Sequence, residues 1–151
     1  MASQLTAAEL QTLSTKAIAA KETAYCPYSR FRVGACILTE SGEYISGINV
    51  ENVSYPVGTC AERCAFSTAI AAGHRKFKAI AVATDISPPA SPCGMCRQFM
   101  REFCSTEFPI YMYGADDNYV VKTMAELLPD SFSPADLAAG QAANRAAVDR
   151  S

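Results

Sequence analysis

Charge of one dominant sign, long apolar runs and low-complexity stretches are all missing from this chain. Its 151 residues hold 13 Lys and Arg against 15 Asp and Glu, a net charge of −2. The basic residues are scattered rather than striped, so there is no electrostatic footprint for a polyanion; a small ligand without phosphate fits better than nucleic acid. No run of about 18 apolar residues is present to cross a membrane. Met1-Ala2-Ser3-Gln4 has no basic segment leading into an apolar one, so no secretory leader is expected and a cytoplasmic location is the default. Repeats and linkers are also lacking. With 50% hydrophobic and 19% charged residues, 1–151 is expected to form one globular domain with a real core. Histidine is nearly absent: the single His74, in Gly73-His74-Arg75-Lys76 just past an expected helix end, reads as a solvated cation at that C-terminus.

Cysteine, by contrast, is plentiful. Seven thiols, an odd number, in a chain without an evident leader point to metal ligation and reduced thiols rather than a disulfide framework. Two short blocks stand out, Cys60-Ala61-Glu62 and Pro92-Cys93-Gly94-Met95-Cys96. The spacing of Cys93 and Cys96 lets both sulfurs reach one metal from a single turn, and Cys60 arrives from elsewhere in the fold. Three protein ligands with a fourth position open is the pattern of a catalytic zinc site, whereas structural sites fill all four positions. Glu62, two residues from Cys60, can address a water there without coordinating, taking a proton and handing it to a substrate nitrogen. The remaining Cys26, Cys36, Cys64 and Cys104 read as small buried apolar residues.

Both blocks resemble helix starts. Thr59 is the expected N-cap of a helix running to Gly73, with Glu62 three residues on, and Ser91-Pro92 is a cap followed by proline at the first helical position. Helix N-termini carry about half a positive charge and favour thiolate over thiol. Three thiolates on one Zn²⁺ still leave about −1, and Arg63 is the candidate donor that relieves it at the ligand sulfurs. Plainer readings compete: Cys93 and Cys96 as a redox pair, Cys64 as the fourth ligand of a closed structural site, and Glu62 as the acidic member of a capping box with Thr59.

Elsewhere, Thr6-Ala7-Ala8-Glu9 is a capping box with Leu5 and Leu10 as its staple, opening a helix that Cys26-Pro27 is expected to end. Val33 to Thr39 and Tyr44 to Val50 read as a hairpin around Glu40-Ser41-Gly42-Glu43. Ala79 to Thr84 reads as a buried strand; Pro109 to Tyr113 and Tyr119 to Lys122 flank a turn at Ala115-Asp116-Asp117-Asn118. Ser133-Pro134-Ala135-Asp136 caps an alanine-rich last helix. The expected fold class is α/β, a three-layer α/β/α sandwich around a five-stranded mixed sheet.

These blocks carry a resemblance. Together with Ala24-Tyr25-Cys26-Pro27-Tyr28-Ser29-Arg30-Phe31, Val33-Gly34-Ala35, Gly47 through Tyr55, and Glu126 through Phe132, the chain resembles the short, homotetrameric, zinc-dependent cytidine deaminases over most of its length. The resemblance implies one Zn²⁺ per subunit on Cys60, Cys93 and Cys96, with Glu62 as the catalytic carboxylate. It implies that Asn49 and Glu51 bind ribose hydroxyls, that Phe31 packs on the pyrimidine, and that Ala61 contacts the base carbonyl through its backbone. Val53, Tyr55 and Phe132 are implied to complete pockets of neighbouring subunits in a homotetramer. Arg32 departs from the proline expected after Phe31, and Cys64 from a small polar residue. The implied reaction converts cytidine or deoxycytidine to the uracil nucleoside with release of ammonia, as in pyrimidine salvage. The lone His74, well after Glu62, cannot supply the histidine ligand of the deaminases acting on tRNA, polynucleotides or deoxycytidylate. Two alternatives stay open, a deaminase of a modified or antibiotic aminopyrimidine nucleoside or of RNA, and a zinc-stabilised interaction module without catalysis.

Overall fold

The computed structural model describes residues 5–116 and 118–148. Residues 1–4, on which the expectation of no leader rests, and Asp117 of the expected turn lie outside the described residues.

Helix α1 spans Ala7–Lys21 and starts where the capping box places it: the Glu9 amide donates to Thr6 Oγ1 at 3.2 Å, and the Thr6 amide donates to Glu9 Oε2 at 2.8 Å. The other Glu9 oxygen meets Lys78 Nζ at 3.0 Å, which ties the helix start to the sheet. The helix ends at Lys21, before the expected Cys26-Pro27 stop, because Tyr25 is drawn into an extended bridge with Val50. The same bridge, and a second one from Val50 to Thr59, end the second strand at Ile48 rather than Val50.

Strands β1 (Val33–Thr39) and β2 (Tyr44–Ile48) form the expected hairpin. There follow a single 3₁₀ turn at Tyr55–Val57, helix α2 (Ala61–Ala71), strand β3 (Phe77–Thr84), helix α3 (Gly94–Phe103) and strands β4 (Pro109–Tyr113) and β5 (Tyr119–Thr123). A short helix α4 (Met124–Leu127) and a longer α5 (Pro134–Val148) close the chain. The strand order is β2-β1-β3-β4-β5, and only β3 and β4 run parallel, joined across the sheet face by α3. The expected five-stranded mixed sheet is therefore the observed one.

Helices cover both faces. On one side Leu13 and Ala17 of α1 pack on Cys36, Leu38, Ala79, Ala81 and Ala83. On the other, Phe66 of α2 lies at 0% exposure with Phe77, Phe103 and Phe108 around it, its ring 5.1 Å from that of Phe77. Two glycines set how close the layers come. A Cβ on Gly34 would lie 2.2 Å from the Ala17 carbonyl oxygen, and one on Gly47 would lie 2.4 Å from that of Ala61. Both helices therefore rest on bare backbone, α1 on one face and the start of α2 on the other.

Three further details depart from the sequence reading. His74 is not free in solvent; its Nε2 meets Glu43 Oε2 at 2.8 Å and its side chain is only 18% exposed. Short α4, with its own Thr123 and Glu126 capping box, and the turn at Tyr55–Val57 were not foreseen. Helix α5 starts as expected, the Ser133 amide donating to Asp136 at 2.8 Å, and its side chains are exposed from Pro134 to Arg145.

Candidate active site

The bridge between Val50 and Thr59 decides how α2 begins. Thr59 is held in extended pairing, its amide donating to the Val50 carbonyl at 2.9 Å, so the N-cap passes to Cys60. The expected Thr59 cap is thus displaced by one residue, and Glu62 becomes the second helical residue rather than the third. The capping-box reading of Glu62 fails with it. The second block shifts likewise: Cys93, not Ser91, is the N-cap of α3, and Pro92 precedes the helix. Neither cysteine caps its helix with its sulfur, which leaves both thiols free to face one another.

They do so. The Cys60 and Cys93 sulfurs are 3.9 Å apart, and with Cys96, one turn into α3, all three sulfurs lie within 4.8 Å. A tetrahedral zinc with Zn–S near 2.3 Å needs sulfurs about 3.8 Å apart, so the donor set fits zinc in both chemistry and spacing. Cys64 is not part of the cluster, and among the described residues no fourth thiol, imidazole or carboxylate completes a closed site.

Arg63 attends to the sulfurs. Its Nη2 donates to Cys60 at 3.8 Å, and its Nε is buried without a partner. The Cys60 thiol is pulled down to about 5, first by the hydrogen bond from the Cys96 thiol and then by Arg63 and Cys93. Cys96 is pushed up by its contact with Cys60 and by burial. A divalent ion bound here would take up the charge of all three thiolates. Glu62 is 4% exposed, and burial pushes its carboxyl up, the neighbouring Cys60 adding to the effect.

A cavity of about 330 Å³ opens over these groups, lined by Cys60, Glu62 and Cys93 together with Phe31, Asn49 and Glu51. Asn49 bridges two backbone groups, taking the Val33 amide at 3.0 Å and giving to the Phe31 carbonyl at 2.8 Å. Glu51 takes the amides of Tyr28 and Ser29, each at 3.0 Å, and the Ser29 hydroxyl. Both side chains therefore hold the Phe31 loop; Asn49 keeps one N–H and one lone pair, and Glu51 one lone pair, beyond these bonds. Ala61 is fully buried at the first position of α2, where its N–H has no intrahelical acceptor.

Other site residues expected from sequence do not join them. Val53 is 77%, Tyr55 74% and Phe132 59% exposed, and none lines this cavity. Tyr55 instead borders an adjoining hollow of about 320 Å³ that shares Ser29 and Glu51 with it. Conversely, Ser29, Val33, Val82, Thr84 and Ala90 line the cavity without having been singled out. Period-two alternation at the ends of β1 and β3 was the available signal for Val33, Val82 and Thr84. Arg97 was also missed; it clamps the loop before Cys93 by donating to the carbonyls of Pro92 at 2.7 Å and Leu127 at 2.6 Å.

Known proteins resemble this chain in sequence and fold. A family profile described as the cytidine and deoxycytidylate deaminase zinc-binding region matches residues 7–112. The chain belongs to this deaminase family. The cytidine deaminase of Sporosarcina psychrophila is 44% identical over 85% of this chain and 95% of its own length. That of Halalkalibacterium halodurans is 44% identical over 84% and 96%. Among solved structures, cytidine deaminase from Burkholderia pseudomallei superposes with a TM-score of 0.79 at 42% identity, covering 85% of this chain and all of that one. The enzyme from Mycobacterium tuberculosis gives a TM-score of 0.71 at 36% identity, over 82% of this chain and 96% of that one. Zinc is the metal of the family's shared region, and Cys60, Cys93 and Cys96 are the group positioned to hold it.

Proposed function

We propose that the protein hydrolyses cytidine and deoxycytidine to uridine and deoxyuridine with release of ammonia, and that residues 1–151 act as one deaminase domain. The observation that carries this reading is the buried Glu62 in one small cavity with Cys60 and Cys93 of the three-thiol cluster, a size suited to a single small ligand. Zinc on Cys60, Cys93 and Cys96 would supply Lewis acidity that makes a water nucleophilic near neutral pH.

Glu62 moves the protons. Its elevated affinity for a proton, a consequence of burial, suits it to accept one from the attacking water and deliver it to N3 of the cytosine, which makes C4 electrophilic. Water adds at C4, and Glu62 carries the proton of the new C4 hydroxyl to the exocyclic nitrogen, which leaves as ammonia as the C4 carbonyl forms. Phe31 packs on the pyrimidine and the free N–H of Ala61 meets the base carbonyl. Asn49 and Glu51 bind the ribose hydroxyls with the bonding positions they retain. Arg63 steadies the thiolates.

Val53, Tyr55 and Phe132, large and exposed, fit the completion of neighbouring pockets in a homotetramer. No described helix is long and apolar enough to cross a membrane. Free cysteines fit a reducing, cytoplasmic setting.

The test is ammonia release from cytidine, followed with the ultraviolet change to uridine, for wild type and Glu62→Gln at matched zinc content. Release by wild type with a loss of about 10²- to 10⁴-fold in the variant supports the reading. No release from folded, zinc-loaded oligomer overturns it, and near-normal turnover by Glu62→Gln removes that carboxylate from the reaction.

A further inference from the structure

Antiparallel β1 and β3 end together, with Val33 opposite Thr84. One step beyond that pair the same register places Arg32 opposite Asp85. The two meet as a bidentate pair, Nε to Oδ2 at 2.8 Å and Nη2 to Oδ1 at 3.1 Å. Arg32 Nη1 also reaches Glu22 at 2.7 Å, and Asp85 takes Lys21 Nζ at 2.7 Å. Four charges from three segments, the end of α1 and the two strand ends, thus form one network.

Alternation along the strands separates this network from the cavity. A Cβ on Gly34 would meet Ala17 and Lys21, so Gly34 faces α1, and Arg32, two residues earlier, falls on the same face. Phe31 and Val33 point the other way, into the cavity, as do Val82 and Thr84 on the neighbouring strand. The ion network therefore lies behind the cavity, fastening the two strand ends whose front faces wall it.

The hydrogen bonds in front lead from that fastening to the ligand-facing groups. Asn49 spans the Phe31 carbonyl and the Val33 amide, on either side of Arg32. The Phe31 amide donates to Ser29 Oγ at 3.0 Å, and that hydroxyl donates to Glu51. Arg30, just before, holds a left-handed φ of 56°, a conformation that a non-glycine residue keeps only when its surroundings impose it. A shift of Arg32 would move Phe31, Asn49 and Glu51 together.

We infer that Arg32 is a positioning residue of the nucleoside pocket, acting through its bidentate pair with Asp85 to set the affinity for the neutral substrate without touching it. The inference rests on the cavity being the nucleoside site. Lysine cannot reproduce it, because one ammonium cannot present the planar fork that Asp85 and Glu22 share.

The test compares wild type with Arg32→Met and Arg32→Lys, both of which leave the Lys21 to Asp85 pair in place. In steady-state kinetics on cytidine, Arg32→Met is expected to raise KM about threefold to tenfold with kcat within about twofold, Arg32→Lys falling between. Since the substrate is uncharged, salt has no steering effect on its encounter; wild-type KM should rise between low and high salt while that of Arg32→Met stays flat. Amide hydrogen exchange supplies an arm independent of turnover: segments 28–33 and 82–86 should exchange about tenfold faster in Arg32→Met, with α5 unchanged. Unchanged KM and salt response in an active enzyme, or equal exchange in both segments, overturns the inference. An inactive wild type whose exchange difference is nonetheless present sinks the nucleoside reading and leaves the fastening standing.

Discussion

Arg63 Nη2 donates to the sulfur of Cys60 at 3.8 Å, and the same guanidinium bears on Cys96. Its charge offsets that of thiolates which would otherwise repel one another across about 4 Å. Arg63→Gln should therefore hold metal about 10- to 100-fold more weakly while the fold persists. Competition with a chromogenic chelator, read against far-ultraviolet circular dichroism, checks this; unchanged metal retention would show that the two helix starts suffice alone.

Gly47 is where the sheet and the first zinc-bearing helix touch. In Gly47→Ala the added methyl would lie 2.4 Å from both the Ala61 oxygen and the Ala65 nitrogen, which are backbone and cannot swing aside. The start of α2 must move, at about 1–3 kcal/mol. Because Cys60 and Glu62 ride on that segment, activity and zinc content should fall further than the thermal midpoint implies. Melting curves and metal analysis of one preparation decide it.

Phe66 anchors the core on the site side. Truncation to alanine removes a fully buried ring from a cluster with Phe77, Phe103 and Phe108, which should cost about 3–5 kcal/mol. A urea titration should show a lowered midpoint with little change in slope. A loss under 1 kcal/mol would mean that the aromatic cluster collapses to refill the space.

Asp85 links stability to acidity. Arg32, then Lys21, hold its carboxyl below the ordinary 3.8. A group depressed in the folded state contributes stability above its unfolded value and loses it as pH falls through the folded one. Asp85→Asn should thus melt below wild type at neutral pH, and the gap should narrow as pH falls below the ordinary 3.8 toward the lower folded value, since protonated Asp85 resembles asparagine. Paired melts at pH 7 and pH 3 test this; a constant gap would remove the ionic contribution.

Local signals carried much of this fold. The Thr6 and Glu9 box, the hairpin around Gly42 and the apolar run of β3 are written in neighbouring residues, and the structure places them where they were expected. Misplacements arise where distant backbone intervenes. Val50 pairs with both Tyr25 and Thr59, and that one residue shortens α1, trims β2 and moves a helix cap from Thr59 to Cys60. The thiols were legible because metal ligation constrains residue type and spacing. Thr84 and Val82 were not, since a cavity wall asks of a strand only that the right face be turned inward. Arg97 was hidden for a related reason: its partners are carbonyl oxygens, which every residue possesses.

Cys26 and Cys64, expected to be buried, are half-buried, and the other thiols differ in depth. Cys36 and Cys104 lie inside the layers, where burial keeps their thiols protonated, while Cys60 is poised to ionise and Cys93 is exposed. Electrophiles and oxidants thus find their preferred targets among the residues that grip the metal. A bound cation then serves as a protecting group in the synthetic chemist's sense, and its loss would turn an inert surface into a thiol-reactive one.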